Sequence, residues 1–394
     1  MIEKRDGQLW NKPFIFAFAA NFLMMFAFYL LIPTLPFYLD SYFNADKTTI
    51  GLVMSIYIVA ALAIRPFSGY FIDTLDRKKL YIFAYIAFTL LFASYTFTAA
   101  LGVFIILRIL HGFTFGITTT AGHTIAIDVL PSERRGEGIG YYGLSTNIAM
   151  ALGPTAGLFL MDFFNFVFIF WAAFIAGSLG LLASLAIHAP HNKTIKHEPM
   201  SLDRFILVKA IPSGFNLLLI ALSYGLIISF GAVFGKEISV ENTGLFYTLM
   251  AAGIFIARFS SGKYLNAGQF KPIGLISIAL LTISYALLAL TTQAWAYYTL
   301  ATVIGLGFGM LTPAFQTMTI NMAPHNKRGT ANSTFFTSLD LGVGGGMLLG
   351  GKISEIWNLS TAFAIVAIIN LVGFFLYWHY TIPLYKKYKA TDNH

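Results

Sequence analysis

Residues 51–69 read GLVMSIYIVAALAIRPFSG, and 193 residues later residues 244–262 read GLFYTLMAAGIFIARFSSG. Gly51-Leu52 returns as Gly244-Leu245, and Arg65-Pro-Phe-Ser-Gly69 returns as Arg258-Phe-Ser-Ser-Gly262. The same offset carries Gly112 and Gly116 onto Gly305 and Gly309, and Gly157 onto Gly350. It also carries Pro131, Arg135 and Gly136 onto Pro324, Arg328 and Gly329. No gap is needed from Gly51 to Gly157. A duplicated apolar chain of this kind predicts two like halves that move around a shared site in a membrane.

Composition supplies the solvent. Of 394 residues, 57% are hydrophobic and only 11% are charged, which places the chain in a bilayer. A spanning helix needs about 20 apolar residues. Twelve such stretches lie between charge clusters and turns, at 13–39, 48–71, 80–99, 101–127, 138–161, 164–188, 211–234, 242–265, 272–291, 294–322, 331–354 and 358–382. They are too long for barrel strands and lack their alternation. The expected fold is therefore an all-α integral membrane protein, twelve transmembrane helices in two pseudo-symmetric six-helix bundles. The first stretch follows Lys4, Arg5 and Lys12 but has no small-residue cleavage site, so it reads as a retained helix rather than a signal peptide. The absence of cysteine excludes disulfides and thiolate metal sites.

The net charge of +8 is unevenly spread. With residue 1 on the cytoplasmic side, 19 of the 25 Lys and Arg fall on inner connections. Lys47, Lys236 and Lys352 fall outside, and Arg65, Arg108 and Arg258 lie within helices. This bias orients the protein in a plasma membrane with both termini cytoplasmic, and it is not a nucleic-acid footprint. The longest polar connection, 189–210, is expected to be a cytoplasmic linker between an N-terminal bundle at 1–188 and a C-terminal bundle at 211–394. His188, His191 and His197 near it are irregularly spaced with no supporting carboxylates, so no metal site is expected.

Three short motifs carry more. Gly69-Tyr-Phe-Ile-Asp73-Thr-Leu-Asp76-Arg77-Lys78 joins the second and third stretches across a tight turn. Asp76 suits the left-handed backbone region better than most non-glycine residues. Asp73 is placed to cap a neighbouring helix or to pair with Arg77 as a latch; the alternative is that these charges merely set topology. Gly153-Pro154-Thr-Ala-Gly157 removes a backbone donor and allows close helix approach, or is ordinary small-residue packing. In the second half Met347 stands in place of the proline. These runs, with Arg108-Ile-Leu-His111-Gly112 and with Asp128, Pro131, Arg135 and Gly136, resemble the signatures of the major facilitator superfamily. The resemblance covers essentially the whole chain and is to its drug:proton antiporter-1 branch of twelve-helix exporters. It implies a gating role for Gly69, Asp73, Arg77, Lys78, Asp128 and Arg135, and an antiporter element at Gly153, Pro154 and Gly157. Thr74, Asp76 and His111 depart from the family pattern.

Ionisable groups at membrane depth are costly and so are functional candidates. Arg108 shares one face of the fourth stretch with His111, Thr118 and Thr119, a face expected to line a wet cavity. Arg108 has three readings: it tunes a carboxylate, binds an anionic substrate, or bonds a neighbouring helix. His111 has a proton affinity suited to proton traffic, or serves as a neutral hydrogen-bond partner. Asp340 sits mid-way along the eleventh stretch, and its repeat mate is Asn147. A carboxylate matched by an amide gives one half a titratable group, which either couples protons to substrate or bonds a glycine-interrupted helix. Asn21, Tyr29, His123, Thr312, Gln316 and Thr319 complete the candidate cavity, with Gln316 the repeat mate of His123.

The resulting expectation is a secondary active transporter, monomeric and bacterial, exporting a small organic compound in exchange for protons. The alternative keeps the fold and imports a nutrient or a metal chelate. An enzyme would need clustered carboxylates or histidines. Gly346-Met-Leu-Leu-Gly-Gly351-Lys352-Ile353 only nears a P-loop, since it ends in Ile353 and follows no strand. No cofactor is expected, the proton gradient being the energy source.

Overall fold

The computed structural model describes residues 8–131, 134–188, 206–323 and 328–389. Among these residues there is no strand, and fourteen α-helices follow one another. They are α1 (Lys12–Leu31), α2 (Leu35–Phe43), α3 (Lys47–Thr74), α4 (Arg77–Ser94), α5 (Leu101–Asp128), α6 (Arg135–Phe163) and α7 (Phe166–Leu185). The second half contributes α8 (Ile211–Glu237), α9 (Gly244–Asn266), α10 (Phe270–Leu290), α11 (Ala294–Asn321), α12 (Arg328–Ile356), α13 (Leu359–Leu376) and α14 (Ile382–Tyr388). A five-residue π-helix, Tyr377–Thr381, links α13 to α14. Among the described residues, eleven stretches are long and apolar enough to cross a membrane. The twelfth is α12, equally long at 29 residues but rich in Gly, Ser and Thr.

The single first stretch expected at 13–39 is two helices. Pro33 cannot donate a backbone hydrogen bond and its ring crowds the preceding turn, so α1 ends at Leu31 and α2 restarts at Leu35. The Thr34 hydroxyl donates to the Leu31 carbonyl at 3.0 Å, recapturing one freed acceptor. Other helix starts are capped as their sequences direct. Asn11, Asn165 and Asn358 each accept from the backbone N–H three residues on. Pro154 and Pro313 lie inside α6 and α11 without ending them.

The chain forms two compact units. One comprises Met1–Thr34 and Val59–Pro199, the other Leu35–Ile58 and Met200–His394. The division falls inside α3, so the units do not coincide with the two sequence halves. The reason is local. The first turns of α3 approach α12 so closely that Gly51 and Gly351 meet backbone to backbone. Lys47 Nζ is paired with Glu237 of α8 at 2.6 Å, and Lys47 N donates to Glu355 Oε2 of α12 at 2.8 Å. Of the expected linker at 189–210, residues 189–205 lie outside the described residues, and 208–210 form one 3₁₀ turn.

Each unit repeats the other's packing at the offset read from the sequence. In the first, a methyl group at Gly116 of α5 would lie 2.7 Å from the Ala61 carbonyl of α3. In the second, one at Gly309 of α11 would lie 2.7 Å from the Ile254 carbonyl of α9. Ile254 is the repeat mate of Ala61, as Gly309 is of Gly116. Likewise α1 packs on α6 with Gly153 against Tyr29, and α8 packs on α12 with Gly346 against Leu222, the repeat mate of Tyr29. Helix α8 is apolar all round and the most enclosed of the spans, bounded by α12, α13 and α11.

Candidate functional site

In the first unit the polar turn after α3 is built by capping. Asp76 precedes α4 and accepts from Lys79 N at 2.9 Å. Its φ of −62° is extended backbone, not the left-handed region expected from the sequence. Ending α3 at Thr74 makes the reversal without a positive φ, and the carboxylate is used on a free N–H instead. Arg77, the first residue of α4, binds Asp128, the last of α5, at 2.8 Å. Its Nε also donates to the Ile72 carbonyl at 3.3 Å, holding the last turn of α3 in the same cluster. Lys78 Nζ donates to the Leu185 carbonyl at the end of α7, at 3.0 Å. The side chains of Asp73 and Arg135, and the surroundings of Gly69, lie outside the described residues.

The Gly153-Pro154-x-x-Gly157 element faces α1. A Cβ at Gly153 would fall 2.6 Å from Tyr29 Cβ, and one at Gly157 would meet the Leu30 carbonyl. Asn21 ties the same two helices together, its Nδ2 donating to Ser145 Oγ at 2.7 Å and Thr146 Oγ1 at 2.9 Å. Tyr29 and Asn147 are half-buried.

The face of α5 carrying Arg108 and His111 is not open. Both are buried, at 3% and 1% exposure, and they meet Tyr95 in the 3₁₀ turn after α4. Tyr95 Oη and His111 Nδ1 share a hydrogen bond of 2.7 Å, and Arg108 reaches the same hydroxyl. Phe88 and Phe92 pack on the imidazole at 4.6 Å each. The histidine is thus enclosed by rings rather than set on a water-lined stripe. Sequence reasoning missed Tyr95, sixteen residues from His111, because nothing local marks it as a partner. Further along α5, Thr118 and Thr119 turn their hydroxyls back to the Thr114 and Phe115 carbonyls. His123 stacks obliquely on Tyr142 at 5.1 Å.

In the second unit, Thr312 and Thr319 of α11 bond the Phe308 and Phe315 carbonyls in the same way. Gln316 instead donates across to Asn332 Oδ1 of α12 at 2.9 Å, a partner the sequence did not single out. Asp340 is half-buried in α12. Ser338, Gly342 and Gly346 of that helix meet α8. At about 100° per residue, Asp340 projects from nearly the opposite side. It continues the stripe of Gly344, Met347 and Gly351, which faces Ile58, Ser55 and Gly51 of α3. Among the described residues no group of histidines and carboxylates is arranged to hold a metal.

A family model described as Major Facilitator Superfamily matches residues 17–345 and, again, 213–393. This protein belongs to the major facilitator superfamily. The second match begins with α8, in keeping with the duplication. The staphylopine export protein of Staphylococcus aureus (strain Mu50 / ATCC 700699) is 25% identical over 344 residues, 84% of this chain and 86% of that one. The quinolone resistance protein NorA of Staphylococcus aureus (strain MRSA252) is 26% identical over 369 residues, 88% and 91% of the two chains. Among solved structures, a peptide transporter of the POT family superposes with a TM-score of 0.81 at 13% identity, over 96% of each chain. A bacterial homolog of the human lysosomal transporter Spinster does so with a TM-score of 0.77 at 13% identity, over 97% and 98%. These two likenesses establish the fold alone. The chain is a multi-pass membrane transporter of the twelve-helix facilitator type, akin to efflux proteins of the superfamily.

Proposed function

We propose that this protein exports a small organic compound across the bacterial plasma membrane in exchange for protons, by alternating access between halves at 1–188 and 211–394. The observation that carries the direction is that two relatives spanning most of both chains are named as an export protein and as a drug-resistance protein. Proton coupling rests on Asp340, a carboxylate half-buried in the interior of a 29-residue helix. A titratable group there gains or loses a proton at a cost that a bound substrate can shift, which is what exchange requires. Arg77, Asp128 and Lys78 supply the gating contacts at one end of the first unit, and the termini are placed on the cytoplasmic side by the charge bias. No cofactor takes part in this scheme.

Reconstitution into proteoliposomes with an imposed pH gradient tests it. Substrate hits come first, from a thermal-shift screen of purified protein. The reading expects substrate to move uphill against an opposing proton flux. Substrate moving in the same direction as protons would overturn export and establish the importer reading.

A further inference from the structure

We infer that one end of the second unit, where α8 and α10 begin and α14 ends, is a docking surface for the headgroup of an anionic phospholipid. Four exposed lysines belong to these segments: Lys209 just before α8, Lys271 at the start of α10, and Lys386 and Lys387 on α14. Two contacts hold these segments together. Tyr377 donates to the Phe270 carbonyl at 2.7 Å, and Phe270 packs on Tyr385 at 5.3 Å.

Aromatic rings hold the ammonium groups without neutralising them. Lys271 Nζ stands 5.4 Å from the centre of the Trp378 ring, while Lys209 and Lys387 stand 5.5 and 5.4 Å from that of Tyr388. A cation over a ring face keeps its charge and most of its hydrogen-bond donors. Lys209 and Lys387 both stand near the Tyr388 ring, and an anion close to two like charges lowers their mutual repulsion. Among the described residues no carboxylate pairs with any of the four lysines.

The anion is assigned to lipid because of where the cluster sits. The lysines flank the ends of spanning helices, and the exposed Trp378 lies among them. Exposed tryptophan marks the membrane–water boundary, where phosphate headgroups are dense and basic clusters next to spanning helices gather acidic lipids. This inference rests on the membrane fold and is independent of export or proton coupling.

The test uses the full chain in nanodiscs of phosphatidylglycerol or phosphatidylcholine, with bound lipid counted by native mass spectrometry and stability followed by thermal unfolding. Retained phosphatidylglycerol should fall about fivefold for each lysine removed in the series Lys209→Gln, Lys271→Gln and Lys387→Gln. The phosphatidylglycerol-dependent rise in melting temperature should vanish in the triple variant, and the triple arginine variant should keep it. Removing two lysines elsewhere, with Lys236→Gln and Lys352→Gln, should leave retention unchanged. Equal retention by the wild type and the triple glutamine variant would overturn the assignment. So would full reproduction of the stabilisation by inorganic phosphate, which would make the site one for a free anion.

Discussion

Arg77 Nη1 donates to Asp128 Oδ2 at 2.8 Å, joining the first residue of α4 to the last residue of α5. Each charge stands at the unfavourable end of its own helix. A cation sits at the positive N-terminus of α4 and an anion at the negative C-terminus of α5. The pair therefore cancels two penalties, and both side chains are only 16% exposed. Asp128→Asn or Arg77→Gln alone should cost more stability than the two together, with a coupling of about 1–3 kcal/mol in a double-mutant cycle. Thermal unfolding of the four proteins measures it. If the pair also gates transport, each single variant should slow substrate exchange. Exchange at the wild-type rate in both would separate the ion pair from the transport cycle.

Repeat-matched glycines should respond alike. A methyl group at Gly153 collides with Tyr29, and one at Gly346 collides with the Leu222 carbonyl. Gly153→Ala and Gly346→Ala should each destabilise by about 1–3 kcal/mol through overpacking. Gly102 of α5 has open space around it, so Gly102→Ala should be neutral or stabilising by about 0.5–1 kcal/mol. Chemical or thermal denaturation ranks the three. A Gly346→Ala protein as stable as wild type would mean that α8 and α12 part more easily than their geometry implies.

These matched contacts were readable because an internal repeat reports packing. Gly116 with Ala61 and Gly309 with Ile254 are the same contact written twice. Helix existence was equally legible, since bilayer length and apolar composition dictate it. The break at Pro33 was not, because the residues on both sides of it are as apolar as any span. Asp76 was misjudged because an aspartate before a helix serves either as a turn residue or as a cap, and the free N–H of Lys79 decides it. The partners of Lys47 lie 190 and 308 residues away, a distance no local pattern spans. The cage around His111 was hidden for a related reason: helical spacing tells which residues share a face, not what packs against it.

The start of α3 should be sensitive to acid. Asp46 accepts from Thr49, and those bonds to the Thr49 side chain and backbone hold its carboxyl below the ordinary value of 3.8. A depressed value means the cap contributes above the unfolded-state pKa and is lost as pH falls through the folded one. Hydrogen exchange of the first amides of α3, corrected for intrinsic rates, should show protection at pH 5 to 7 that fades below about pH 4. Asp46→Ala should show the unprotected pattern at every pH. Protection unchanged in that variant would assign the helix start to Lys47 and Glu355 instead.

Asp340 carries the proposal of proton coupling, and its surroundings say how it should fail. Ser338, four residues before Gly342, packs on α8, whereas Asp340, two residues before Gly342, lies on nearly the opposite side of the helix at about 100° per residue. Substitution at 340 therefore leaves the α8–α12 seam intact, so Asp340→Asn should still fold. Its repeat mate Asn147 shows that an amide is tolerated at the equivalent place in α6. The variant should lose uphill transport driven by a pH gradient while retaining substrate counterflow, because exchange of substrate for substrate needs no net proton movement. Asp340→Glu should keep part of the driven rate. Paired uptake and counterflow assays on one liposome preparation make the distinction. Gradient-driven transport at the wild-type rate in Asp340→Asn would remove this carboxylate from the mechanism.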